Sequence, residues 1–377
     1  MLNKSILVSC AALLVGTAFA QRFAVTNLGN LGTGTTEAYA LNDSGIVVGR
    51  SNIGGSAIEA FVWQNGTMTG LGFLGGNRSE AYDINSLGVI VGYSNNASGL
   101  PTGFRYENGN MAPIPTLGGQ RSYGWAINAS GLIAGAAQLS NSQYRAYRYD
   151  GSSMTAIPSL GGNLGWAYGI NDSGRVVGYS TNASNEQKPF VYEFGIANEL
   201  PLLGGSIGRA YSINNEGVIV GYANNHLNQN RACRWRFGLS EDLGALSGTV
   251  SQAYSINDAE WIVGFYRSGG VDRAFLYSGV MQDLNDLVTA DFLGVFQEAR
   301  DINNDNQIVA NGNGIGYLLT PVPDSDVNFD GCVDDIDLAI VLEEFGQTGR
   351  RNADLNRDGV VDDSDLAMVL EGFGMGC

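Results

Sequence analysis

An apolar residue followed by asparagine recurs at Asn42, Asn85, Asn128, Asn171, Asn214 and Asn257, always 43 residues apart, and returns once more at Asn303 after a step of 46. Other landmarks keep the same step: Leu31, Leu74, Leu117, Leu160, Leu203 and Leu246, then Gly49, Gly92, Gly135, Gly178, Gly221 and Gly264. A fixed period of this length means one supersecondary unit copied and stacked, because a single unit of that size cannot bury its own apolar faces. Each unit reads as four short strands, in runs of the type AYDIN, VIVGYS, AFVWQNG and TMTGLGFLGG separated by Gly, Asn and Ser clusters. No repeat carries a helical period over ten residues. Asn-Asp-Ser-Gly at 42–45 and 171–174 fits a tight hairpin with glycine in the left-handed position. Glu260 and Asn306 stand where that glycine falls in units six and seven. Glutamate tolerates the left-handed region poorly, so a distorted hairpin is expected in unit six.

Four strands in about 43 residues match a β-propeller blade, with a solenoid as the rival. The ends decide between them. FAVTNLGNLG near the N-terminus resembles the fourth strand of a unit with nothing before it, whereas the last unit runs ARDIN, QIVANG, GYLLT and stops at Pro321. The first fragment supplies what the last unit lacks, as a closed ring requires and an open solenoid does not. The fold expected is an all-β seven-bladed propeller over residues 21–320, closed by residues 22–31 as the outer strand of the last blade. A linker at 321–325 and a small all-α calcium-binding domain at 326–377 follow.

Residues 1–20 read as a secretory signal: Lys4, an apolar core from Ile6 to Val15, and the small-residue site Ala18-Phe19-Ala20. The apolar run is too short for a membrane anchor. Leu7-Val8-Ser9-Cys10 resembles a lipoprotein box, a weaker reading because it leaves only a few apolar residues before the cysteine. The expected location is extracellular or at a bacterial cell surface, with no membrane insertion. The chain has a formal net charge of −17, which disfavours nucleic acid and anionic membranes as partners. Residues 324–377 hold 14 acidic and 3 basic residues, and acid packed so tightly calls for a cation.

That segment carries the binding pattern. Asp326, Asn328, Asp330, Gly331, the carbonyl of Cys332, and Asp337 occupy positions 1, 3, 5, 6, 7 and 12 of a calcium loop; Asp354, Asn356, Asp358, Gly359, the carbonyl of Val360, and Asp365 repeat it 28 residues later. Two ions are expected. Each loop runs into an amphipathic helix, with Leu338, Val341, Leu342 and Phe345 matched by Leu366, Val369, Leu370 and Phe373. The duplication over 326–374 resembles a type I dockerin module. The resemblance implies calcium-dependent folding, a cohesin-like or cell-surface protein partner, and association with polysaccharide-degrading assemblies. It also implies a two-fold packing that brings the ends of the module together, so a Cys332–Cys377 disulfide is expected, with two free thiols as the alternative. Loop positions 10 and 11, often repeated hydroxyl residues in that family, are here the dissimilar Asp335-Ile336 and Asp363-Ser364. Symmetric dual-mode recognition is therefore not implied. Cys233 replaces Phe61, Phe104, Phe190 and Phe275 of other blades and reads as a small buried residue.

Over residues 24–319 the repeats, for example residues 60–94, resemble the HAF family of extracellular repeats. The namesake histidine is absent, its place taken by Glu59, Thr102, Arg145, Lys188, Arg231 and Arg273, and the resemblance implies no activity. Internal comparison says more. The residues before each asparagine, and the aromatics two residues earlier (Tyr39, Tyr82, Trp125, Tyr168, Tyr211, Tyr254, with Arg300 as exception), read as core. At the mouth of the inner strand the sequence varies freely: Glu37, Glu80, Tyr123, Trp166, Arg209, Gln252 and Glu298. With polar loops such as SNNASGLPT and STNASNEQK, these residues form a candidate face for a polysaccharide or a peptide, the plain alternative being solvated loops. Enzymatic signals are thin. His226, the only histidine, has no triad partner in view, and no GxSxG, HExxH or phosphate loop appears in context. Glu37 and Glu80 are the one carboxylate pair to consider for glycoside hydrolysis. The reading is a secreted non-catalytic interaction protein, with a dockerin-bearing glycoside hydrolase or lyase as the alternative.

Overall fold

A computed structural model describes residues 21–290 and 292–377; the expected secretory signal lies outside them. The chain forms two compact units, Phe23–Pro321 and a second that comprises Val322–Cys377 and the chain up to Arg22.

The first unit is a β-propeller of seven antiparallel four-stranded sheets. Blade 2 is representative, with strands Gly75–Ile84, Ile90–Asn96, Pro101–Glu107 and Asn110–Pro113 from the axis outwards. A single parallel bridge, Ile58 to Arg78, links blades 1 and 2. Blade 7 is built from Glu298–Ile302, Ile308–Gly312 and Ile315–Val322, with Arg22–Asn27 as its fourth strand in the order the phase of the two ends requires. The 46-residue step before Asn303 holds a segment whose Leu284, Leu287, Val288 and Phe296 are buried. The Phe23 N–H donates to the Leu287 carbonyl at 3.0 Å, so the insertion packs beside the closing strand.

The repeated asparagine makes the ring. In blade 1 the Asn42 Oδ1 accepts from the backbone N–H groups of Ser44 and Ile46, both at 3.1 Å, closing the first hairpin. Its Nδ2 donates to the Asn85 carbonyl of the next blade at 3.1 Å. The same bond runs from Asn85 to Asn128, then to Asn171, Asn214, Asn257 and Asn303. Asn303 donates to the Asn42 carbonyl at 3.0 Å and closes the circle. A second course lies beside it: Asp172, Asn215, Asp258, Asn304 and Asp43 each accept from the backbone N–H of the residue one blade earlier. One residue type thus shapes a turn and ties a blade, which is why its spacing never drifts within the first six units.

The periodic glycine answers to a different constraint. Each inner strand has a register shift next to the aromatic, as between Ala81 and Asp83, and its carbonyl faces the glycine on the second strand. A Cβ on Gly92 would lie 1.9 Å from the Glu80 carbonyl oxygen, and one on Gly49 would lie 2.0 Å from that of Glu37. Phe61, Phe104, Phe190 and Phe275 pair with these glycines and are fully buried, as is Cys233 at the same register.

The expected distortion at Glu260 does not occur. Glu260 adopts φ 59°, and its N–H donates to the Asn257 carbonyl at 3.1 Å as in the other hairpins. The turn is imposed by Asn257, whose Oδ1 accepts from the Trp261 N–H at 2.9 Å. The Glu260 carboxylate is held by Arg234 and Arg236, both at 3.2 Å.

In the second unit, the helices Asp335–Glu343 (α1) and Asp363–Gly372 (α2) each start from a capping box, Asp334 with Asp337 and Asp362 with Asp365. Val341 and Val369 are fully buried in a core with Val327, Val333, Leu355 and Val361. The amphipathic face read from the sequence is split: Leu342, Phe345, Leu370 and Phe373 are exposed. Cys332 and Cys377 form a disulfide.

Candidate functional site

Along the propeller axis three cavities follow one another. The first, about 390 Å³, is lined by Tyr39, Tyr82, Trp125, Tyr168, Tyr211, Tyr254 and Arg300 with Glu80 and Arg209. The second, about 170 Å³, runs past the same aromatics to Asp83 and Asp301. The third, about 310 Å³, opens at the asparagine ring. The aromatics read from sequence as core therefore line the axis. Their side chains point inwards on alternate positions, just as core residues would, but the seven-fold ring leaves space at its centre. Tyr82 stacks on Trp125 with centroids 4.0 Å apart, and tilted pairs at 5.4–5.7 Å continue through Tyr168 and Tyr211 to Tyr254. Arg300 completes the circle, 4.6 Å over Tyr254 and 5.7 Å over Tyr39.

The seven variable residues surround this mouth, on the face that also carries the loops between second and third strands. Glu80 and Arg209 line the cavity itself. Glu37 accepts from the Tyr39 hydroxyl at 2.8 Å, Gln252 from the Tyr211 hydroxyl at 3.4 Å, and Glu298 from Arg300 Nε at 2.8 Å. Tyr123 and Trp166 pack on Trp125 at 6.4 and 6.2 Å and on each other at 5.4 Å.

Charge at the mouth is nearly cancelled. Arg50 bridges Glu37 at 2.7 Å and Glu80 at 3.1 Å, and Arg78 adds a bond to Glu80 at 2.5 Å. Burial would push the Glu37 carboxyl up, but the hydrogen bonds from Arg50 and Tyr39 and the charge of Arg50 outweigh it and hold the group below its usual range. A general acid needs the opposite shift, so Glu37 is not poised for that role. Deeper in, Asp83 and Asp301 replace the Ala40, Ala126, Gly169, Ser212 and Ser255 of other blades. Burial, and then the charge of Asp301, raises Asp83 to about 8; burial raises Asp301 to about 6. Asp83 accepts from the Ile127 N–H at 2.7 Å and Asp301 from the Leu41 N–H at 3.0 Å, tying blades 2 to 3 and 7 to 1. Comparison between blades could have singled out both residues, since acids break an otherwise small-residue position. A larger groove of about 600 Å³ between blades 4 and 5 is lined by Trp235, Arg175 and Arg236. Both arginines are already paired, with Glu193 and Glu260, so it presents no convergent set of free polar groups.

In the C-terminal unit the loop residues are held by hydrogen bonds within each loop. Asp337 and Asp365 are fully buried. Each accepts from three backbone N–H groups: those of Val327, Asn328 and Asp334 for the first, and Leu355, Asn356 and Asp362 for the second. Asp326 accepts from Phe329 and Gly331, while Asn328 and Asn356 accept from Asp330 and Asp358. The Asp330 and Asp358 carboxylates accept from Cys332 and Val360, whose carbonyls the pattern places at position 7. Burial, with the crowding of neighbouring carboxylates, raises Asp326 and Asp354. The donors are all hard oxygens, a set that fits calcium. Among the described residues no three acidic, histidine or cysteine side chains converge on one point, because the loop amides hold the carboxylates instead.

Residues 324–371 match the dockerin type I domain family, and residues 161–236 match a family described as a protein of unknown function, DUF3466. No curated protein matches the chain. Among solved structures, YCF48 bound to a D1 peptide aligns over 80% of this chain and 96% of its own at 15% identity, with a TM-score of 0.51. The β-propeller domain of the trilobed protease from Pyrococcus furiosus aligns over 73% of this chain and 91% of its own at 9% identity, with a TM-score of 0.50. At such identities the likeness shows a shared fold and nothing of activity. The chain carries a dockerin type I domain at its C-terminus, and no helix among the described residues is long and apolar enough to cross a membrane.

Proposed function

We propose that this protein is a secreted, non-catalytic binding component of an extracellular assembly. Its dockerin domain attaches it to a cohesin-type or cell-surface partner, and its HAF-like propeller presents a glycan- or protein-binding mouth. The observation that carries the reading is the axial mouth: six aromatics with Arg209, Arg300 and Glu80 around a cavity of about 390 Å³, where variable residues hydrogen-bond Tyr39, Tyr82, Tyr211 and Arg300. The neutralised Glu37–Arg50–Glu80 triad favours binding over hydrolysis at that mouth. The exposed apolar residues support attachment, since Leu342 on α1 with Phe345 just past its end, and Leu370 on α2 with Phe373 at its C-cap, are exposed at equivalent positions. Calcium, as two ions, would be held by the loops at 326–337 and 354–365. Domain limits of 21–320, 321–325 and 326–377 follow from this reading.

The test pairs capture of full-length protein by an immobilised cohesin, with and without calcium, and retention on a panel of plant and algal polysaccharides. Calcium-dependent capture together with retention supports the proposal. Failure of both in calcium overturns it.

A further inference from the structure

We infer that the mouth of the propeller takes an acidic sugar, a pyranose ring bearing one carboxylate, and that Arg209 receives that carboxylate. This rests on the ligand-binding reading above and narrows it to a substrate class.

The argument begins with charge. Glu37, Glu80 and Glu298 are each bonded to arginine: Arg50, Arg50 with Arg78, and Arg300. Arg209 stands at the same strand position in blade 5 and lines the same cavity, yet no carboxylate pairs with it among the described residues. Its Nε and Nη2 donate to the neutral Gln187 Oε1 at 3.0 and 2.8 Å, and its guanidinium lies 4.5 Å over the Tyr179 ring. These contacts, with a hydrogen bond to the Tyr211 side chain, fix the plane of the group and leave its remaining N–H hydrogens for a ligand. In a chain of net charge −17, the mouth thus holds one cation more than its anions. A single fixed guanidinium matches a carboxylate, which it can grip through two parallel bonds. A phosphate monoester, with nearly twice the charge, would call for a second unpaired cation.

The ring shape follows from the aromatics. The rings circle the cavity, Tyr82 stacked on Trp125 and the others tilted or edge-on to their neighbours, and this largely apolar wall suits a pyranose. Its hydroxyls meet polar edges around the rim, the Glu80 carboxylate among them. The mouth narrows to the cavity of about 170 Å³ beneath it, so a chain end or short oligomer fits and a continuous strand does not.

The test titrates full-length protein with a 1,4-linked tetragalacturonate, with the same tetramer after reduction of its carboxyl groups, and with a tetra-alanine peptide bearing a free carboxylate. Calorimetry and the fluorescence of Trp125 and Trp166 report binding. The acidic tetramer is expected to bind at least tenfold more tightly than the reduced one. Arg209→Gln should lose at least tenfold for the acidic tetramer with an unchanged thermal midpoint, and Arg209→Lys should recover part of the loss. Equal binding of both tetramers, or no effect of Arg209→Gln, overturns the acidic-sugar inference while leaving glycan binding intact. Tighter binding of the peptide also overturns it and leaves a protein-binding mouth. Binding of none of the three probes overturns the inference and removes support for a ligand-binding mouth altogether.

Discussion

Asn171 makes three bonds from one side chain: Nδ2 donates to the Asn214 carbonyl at 3.1 Å, and Oδ1 accepts from the Arg175 N–H at 3.0 Å and from the Ser173 hydroxyl at 2.7 Å. Truncation would remove the bond between blades and the acceptor of the Arg175 amide. Asn171→Ala should lower stability by about 1–3 kcal/mol in urea unfolding, against no more than about 0.5 kcal/mol for Asn141→Ala on an exposed loop. Equal effects would show that the ring bonds are incidental. Asp83 gives a pH test. Its carboxyl is raised to about 8 in the folded protein, first by burial and then by Asp301, from about 4 when unfolded. The folded state therefore holds the proton more tightly. The stability this confers is complete below about pH 4 and is lost as pH rises through about 8. Asp301, raised to about 6, adds to the lower part of that fall. Asp83→Asn keeps the acceptor for Ile127 and removes the titration, so its urea midpoint should fall less between pH 5 and 8 than that of the parent. Parallel curves would refute the assignment.

At the scale of elements, the turn chemistry is uneven in an informative way. Outer hairpins of blades 1 and 2 turn on Asn65 and Asn108 at φ 50° and 51°, but blades 4 and 5 place Phe194 and Phe237 there at 50° and 53°. Both phenylalanines are exposed, 96% and 88%. Phe194→Asn should stabilise the protein by up to about 1 kcal/mol, since asparagine enters the left-handed region more readily; destabilisation in a thermal melt would refute that. The calcium loops are the other element-scale test. Asp337 and Asp365 each serve a loop and a capping box. Calcium at about 100 times its dissociation constant should raise the stability of the C-terminal unit by about 2.7 kcal/mol for each ion bound. Asp337→Ala with Asp365→Ala should abolish that increment in calorimetry, and an unchanged calcium response would contradict the assignment.

For the whole molecule, closure was legible because the incomplete ends are complementary in phase, and phase survives any variation in side chains. The dockerin domain was legible because each of its loop patterns lies within twelve consecutive residues. The channel was not. Inward alternation places Tyr82 and Trp125 towards the middle, but strand period cannot tell a packed middle from a hollow one, since that depends on how many blades share it. The Arg50 bridge was equally hidden, because Glu37 and Glu80 meet it from two different blades, 13 and 30 residues away. The hairpin at Glu260 was misjudged because local preference for glycine yields to the asparagine that builds the turn. What emerges is a ring that spends its constant residues on closure and its inconstant ones on a mouth whose acids are paired with arginine. The most direct test incubates full-length protein with insoluble plant and algal polysaccharides and measures, in one experiment, protein retained and reducing ends released. The account predicts retention with no reducing ends above the blank. Release that is abolished by Glu80→Gln would contradict it.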